Sequence, residues 1–156
     1  MRFFKRLRLI LPIIFVFLLL SMASAEVKKD IIIKDLKGRP VNVTGQKGRP
    51  AILMFWTTWC RFCRDAIKAM NKDYAGIEKE GITVLVINVG EHEYRVKRYF
   101  QDTVMNFRVL LDENSLVADN YDIEGVPTYV LLNKEGKVVY KTNRMPANYK
   151  NLLLKK

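Results

Sequence analysis

Apolar residues recur along this chain in two distinct rhythms. Ala51–Trp56 is an unbroken apolar run, and 82–89 is nearly so. Strands apolar on both faces are those buried inside a helix-covered sheet. Between them Ile67, Met70, Tyr74 and Ile77 fall at spacings of three, four and three. That period predicts a helix from about Cys60 to Glu80, stopped by Gly81. A second helix is predicted over about 92–102, with Val96, Tyr99 and Phe100 inward. Residues 109–111 form a short apolar segment, and 112–115 open a short helix carrying Leu116, Val117 and Tyr121. Residues 129–132 and 137–142 read as two strands joined by a turn at 133–136, and Pro146 opens a last short helix ending at 152–154. Ahead of all this, 31–33 and 41–44 flank a turn at 37–40 and read as a β-hairpin.

This order predicts an α/β fold, a central mixed β-sheet flanked by helices, with an added N-terminal β-hairpin. Strand–helix–strand stretches imply parallel pairing through right-handed crossovers, and the closing hairpin makes the sheet mixed. At 156 residues, 49% hydrophobic and 28% charged, the chain has the size and composition of one domain.

Residues 1–25 stand apart. Arg2, Lys5, Arg6 and Arg8 form a basic start, 9–20 is apolar apart from Pro12, and Ala23-Ser24-Ala25 fits a small-x-small cleavage site. This is the three-part pattern of a signal peptide. The alternative is a retained N-terminal membrane anchor, although the run reaches the ~20 residues a span needs only by including Ser21 and Ser24. Either way the basic start stays cytoplasmic and residues 26–156 are exported. Charge changes the picture less. There are 27 basic and 16 acidic residues, net +11; the leader holds four of the basic ones, so the remainder carries 23 against 16, net +7. A solvated basic surface accounts for this, as does attraction to an anionic membrane or acidic partner. No nucleic-acid motif accompanies the charge.

The chemistry lies in the two cysteines, Cys60 and Cys63, at the strand-to-helix junction. A helix N-terminus carries unpaired N–H groups and partial positive charge, which favour a thiolate. Residues three apart on a helix have Cβ atoms about 5–6 Å apart, so a disulfide closes with modest adjustment. The chemistry implied is thiol–disulfide exchange, Cys60 attacking and Cys63 resolving. A zinc site competes poorly, because four ligands are needed and His92 is the only histidine. A purely structural disulfide would close a tiny loop and stabilise little.

Phe55-Trp56 followed by Trp59-Cys60-Arg61-Phe62-Cys63 resembles the active-site segment of thioredoxin-like proteins, and most of all that of the exported TlpA-like and ResA-like members. The resemblance implies the thioredoxin fold for residues 26–156. It also implies that Val126-Pro127-Thr128 is the cis-proline loop beside the cysteines, with Val126 pairing to substrate backbone like an added strand. Trp59 then belongs to the substrate-contact surface along with Val126 and Pro127, or is a simple packing aromatic. Arg61 and Phe62, between the cysteines, are candidates for tuning the thiols, Arg61 by favouring a nearby thiolate or else standing simply as an exposed solvated arginine; proline is common in the family where Phe62 stands.

Two familiar carboxylates are absent. Ala66 occupies the position of the glutamate in C-x-x-C-x-x-E, and Met54 the position of thioredoxin's buried aspartate. Asp65 faces away from Cys63 on a helix, leaving Glu91, after the middle strand, as the candidate replacement. His92 reads as a surface residue.

The function expected is that of an exported thiol-disulfide oxidoreductase without bound cofactor or metal, acting as a monomer on protein disulfides or dithiols. By resemblance its work is reductive, on apocytochrome c or other extracytoplasmic dithiols, recharged by a membrane thiol-electron donor. Three alternatives stand beside it: a disulfide-forming oxidase or isomerase; a peroxide reductase, since Thr57 fits P-x-x-x-T-x-x-C although Leu53 replaces the proline; and a non-enzymatic copper-handling domain with thiols as soft ligands.

Overall fold

The computed structural model describes residues 30–46 and 48–154. The proposed leader, 1–25, lies outside the described residues. Seven strands, β1 (Ile32–Asp35), β2 (Pro40–Asn42), β3 (Ala51–Trp56), β4 (Thr83–Val89), β5 (Val109–Asp112), β6 (Thr128–Leu132) and β7 (Val138–Thr142), form one sheet in the order β2-β1-β5-β4-β3-β6-β7. The helices are α1 (Arg61–Lys79), α2 (Glu93–Tyr99), α3 (Leu116–Asn120) and α4 (Tyr149–Leu154). No helix among the described residues is long and apolar enough to cross a membrane.

β3 pairs in parallel with β4 and antiparallel with β6, and β4 pairs in parallel with β5. All six β3 side chains are fully buried, because both faces of the sheet are covered. Ile52, Met54 and Trp56 point into a core shared with Ile67, Met70 and Ile77 of α1, Val96 of α2 and Leu153 of α4. Ala51, Leu53 and Phe55 point into the other core, with Val117 and Ala118 of α3. Each large apolar side chain so buried contributes about 1.5–3 kcal/mol.

The elements follow the sequence pattern with shifted ends. α1 starts one residue after Cys60, which caps it, and ends ahead of Gly81, whose φ is +76°. That left-handed conformation suits glycine. α2 is shorter than its pattern. Phe100 is buried beyond its last residue, and Tyr99 and Phe100 both pack on the Trp56 ring with centroids 5.2 Å away. Leu116 is exposed, and α3 turns Val117 and Ala118 to the sheet. The last helix starts at Tyr149, three residues after Pro146.

The added hairpin is β1–β2, and it joins the sheet by pairing β1 antiparallel to β5. Asp35 anchors it. Its buried carboxylate accepts from the backbone N–H groups of Lys37 and Arg39 at 2.9 Å, from Arg39 Nε at 2.8 Å, and from Arg108 Nη2 at 3.0 Å. One carboxylate thereby holds the hairpin turn to the residue that precedes β5.

Candidate active site

β3 delivers the chain to the end of the sheet, and residues 57–60 turn it into α1. Cys60 and Cys63 are joined by a disulfide with Cα atoms 5.3 Å apart. Cys60 is the N-cap of α1 with extended backbone, and the Cys63 N–H points at its sulfur from 3.1 Å. An orphan donor of the helix start is thus aimed at the atom that carries negative charge in a thiolate. The two sulfurs differ in access: Cys60 is 6% exposed, whereas Cys63 is fully buried.

The Val126–Pro127 peptide bond is cis, as the resemblance implies. The Val126 carbonyl oxygen lies 3.6 Å from Cys60 Sγ. Val126 precedes β6 and lies outside its pairing register with β3, and its N–H donates to no protein acceptor among the described residues. Its backbone is therefore open to an incoming extended segment. Beside it lies a cleft of about 980 Å³ lined by Phe62, Asp65, Ala66, Val126, Pro127 and Arg144, among others. Ala69, Tyr129 and Met145 line both this cleft and a second cavity of about 450 Å³ along α1. Burial pushes the Tyr129 hydroxyl up to about 12, so it remains protonated at neutral pH.

The other sequence candidates fall in several places. Trp59 is 68% exposed and Phe62 77% exposed; neither packs in the core, and they frame the disulfide from outside. Arg61 is exposed at the first position of α1. Asp65 lines the cleft, whose lining does not include Cys63. His92 is exposed, with Nδ1 3.7 Å from Glu113 Oε2. Met54 is buried among apolar neighbours in the α1-side core, with no carboxylate in its place.

Glu91 is buried against the segment that leads to Cys60. Its carboxylate accepts from the Thr58 N–H at 2.7 Å, the Thr58 hydroxyl at 2.6 Å and Asn88 Nδ2 at 2.8 Å, and Arg95 Nη1 lies 3.7 Å away. Sequence reasoning named Glu91 but missed Thr58 and Asn88. The available signal was Asn88, an amide inside an otherwise apolar strand and three residues before a carboxylate. No group of three or more His, Cys, Asp or Glu suited to a metal occurs among the described residues.

Comparison with known proteins agrees with this geometry. The profile of the AhpC/TSA family matches residues 25–141. The thiol-disulfide oxidoreductase ResA of Bacillus subtilis (strain 168) is 31% identical over 138 residues, covering 85% of this chain and 77% of the relative. The thioredoxin domain of a thiol-disulfide oxidoreductase from Bacteroides vulgatus superposes with a TM-score of 0.68 at 26% identity, covering 84% of this chain and 96% of that one. StoA from Bacillus subtilis shares the fold, with a TM-score of 0.67 at 22% identity over 75% of this chain and 89% of its own. A disulfide at a strand-to-helix junction, a cis-proline loop against it, and relatives of this kind lead to one conclusion: the chain belongs to the AhpC/TSA family and is a thioredoxin-fold thiol-disulfide oxidoreductase of the ResA type.

Proposed function

We propose that this protein is an exported reductant of protein disulfides that works through the Cys60–Cys63 couple. The observation that carries the reading is the asymmetry of the pair. Cys60 alone reaches the surface, and the Cys63 N–H is aimed at its sulfur. In the reduced protein the Cys60 thiolate attacks one sulfur of a partner disulfide. A new S–S bond forms, and the partner's other sulfur leaves as a thiolate and takes a proton. Cys63, deprotonated in turn, attacks Cys60 Sγ, closes the internal disulfide and releases the second partner thiol. Two electrons and two protons have then passed to the partner, and no bound cofactor takes part.

Val126 and Pro127 hold the partner's backbone beside Cys60, and Trp59 supplies apolar contact. Arg61 favours the thiolate by its charge, and Phe62 closes the cleft side. The leader at 1–25 supports export, either released by cleavage or retained as an anchor. In an oxidising compartment a reductant needs recharging, so a membrane thiol-electron donor is its partner. Apocytochrome c cysteines are the first substrates to test, and the protein acts as a monomer.

The test is the equilibrium reduction potential of the Cys60–Cys63 pair against a dithiothreitol or glutathione buffer. A value of about −270 mV or lower is expected. A value near about −120 mV would reassign the protein as a disulfide-forming oxidase.

A further inference from the structure

The surface around the disulfide is electrically lopsided. The first turns of α1 divide into three faces. Cys63, Ile67 and Met70 point inward. Phe62, Asp65, Ala66 and Ala69 line the cleft beside the cis-proline loop. Arg61 and Arg64, three residues apart and exposed, form the remaining face, which turns towards α2. Glu91 accepts from Thr58 and lies 3.7 Å from Arg95 Nη1, which ties α2 to the segment leading into α1; burial raises the Tyr99 hydroxyl, and the Arg64 guanidinium opposes that rise. From α2 itself, Arg95 reaches Glu91 beneath Thr58, and Arg98 lies one turn further along, exposed. Trp59, in the turn that leads into α1, and Tyr94 of α2 are each 68% exposed.

Arg95 pairs with Glu91 and Arg98 complements the dipole at the last turn of α2, but structure alone does not call for Arg61 and Arg64. The first turn of α1 contains no acidic residue, and basic residues at a helix start oppose the helix dipole, each costing about 0.3–1 kcal/mol. Arg61, Arg64 and Arg98 form no ion pair among the described residues, whereas Lys97 in the same stretch is paired with Glu93. Across the disulfide, the cleft side carries two exposed carboxylates, Asp65 and Glu124, together with Arg144.

We infer that Arg61, Arg64, Arg95 and Arg98, with Trp59 among them, form a docking face for a protein partner that carries acidic residues next to its reactive disulfide. Such a face raises the encounter rate with acidic partners and turns away basic ones, more than it deepens final affinity. The inference rests on thiol–disulfide exchange and is independent of the direction in which electrons flow in the cell.

The test uses the reduced full-length chain and three short peptides, each with one Cys-x-x-Cys disulfide, flanked by Glu, Ser or Lys. The Ser peptide measures exchange itself, so selectivity is separated from intrinsic thiol reactivity. At about 20 mM salt the Glu peptide is expected to react roughly tenfold faster than the Lys peptide, and at about 0.5 M salt the ratio approaches one. The double substitution Arg64→Glu/Arg98→Glu inverts the preference, and Arg64→Gln/Arg98→Gln brings it close to one. Lys134→Glu/Lys137→Glu, on the β6–β7 turn at the opposite end of the sheet, makes the same change in net charge and leaves the ratio standing. A ratio within about twofold at low salt, or an equal response to the lysine and arginine reversals, overturns the inference.

Discussion

Glu91 accepts two hydrogen bonds from Thr58, from its backbone N–H at 2.7 Å and its hydroxyl at 2.6 Å. Thr58 stands two residues ahead of Cys60, so a carboxylate just beyond β4 fixes the path of the chain into Cys60. A buried carboxylate is tolerated only when its lone pairs are used, and Asn88 and Arg95 take part in using the rest. Glu91 is in this sense a positioning residue.

Glu91→Ala strands the Thr58 N–H and the Asn88 amide. Unmet buried groups cost about 1–3 kcal/mol each, so a loss of about 3 kcal/mol is expected in urea unfolding of the oxidised chain. Glu91→Gln retains one acceptor oxygen and loses about half as much. The exchange rate should fall in the same order, since both changes loosen the approach to Cys60. A Glu91→Ala variant as stable and as fast as the parent would remove this role.

The cysteines should separate cleanly by trapping. Cys63→Ser leaves an accessible Cys60 with nothing to resolve it, so incubation with a peptide disulfide yields a stable mixed disulfide, read by mass as one added peptide. Cys60→Ser leaves only a fully buried thiol, and little adduct forms. Comparable labelling of both variants would contradict the assigned order of attack.

Acid stability should depend on Asp35. Burial pushes its carboxyl up, but hydrogen bonds from the Arg39 backbone and side chain, from Arg108 and from the Lys37 N–H outweigh burial and hold it well below the usual carboxylate range. An unfolded aspartate titrates near about 3.9, so over the interval below that value the unfolded chain binds more protons than the folded one. Stability therefore rises with pH there. Asp35's contribution is fully present above about pH 5 and is lost as pH falls towards the depressed folded value. Both arginines are partly exposed, 55% for Arg39 and 40% for Arg108, which screens the pairs. Asp35→Asn is expected to cost on the order of 1–2 kcal/mol at neutral pH and to flatten the acid limb of the stability profile. An unchanged limb would locate acid sensitivity elsewhere.

Much of this protein was legible from residue order because local physics sets it. The full burial of Ala51–Trp56, the helix behind Cys60 and the junction that carries the disulfide all follow from apolar periodicity and a helix start, which are properties of neighbours in sequence. Motif resemblance supplied the cis peptide at Pro127, which spacing cannot encode. The rest depends on partners far apart in the chain. Nothing local marks Thr58 as the residue that meets Glu91, 33 positions away, or joins β1 to β5, or sets Asp35 against Arg108, 73 positions away. Those pairings arise only when a seven-stranded sheet brings its strand ends together. The same closure sorts the exposed side chains, placing Asp65 and Phe62 on the cleft and Arg61 and Arg64 on the side of α2. Sequence thus determined the Cys60–Cys63 pair and the frame that bears it. Tertiary structure decided what surrounds that pair, because burial and charge at a point in space are summed over segments that the sequence keeps apart.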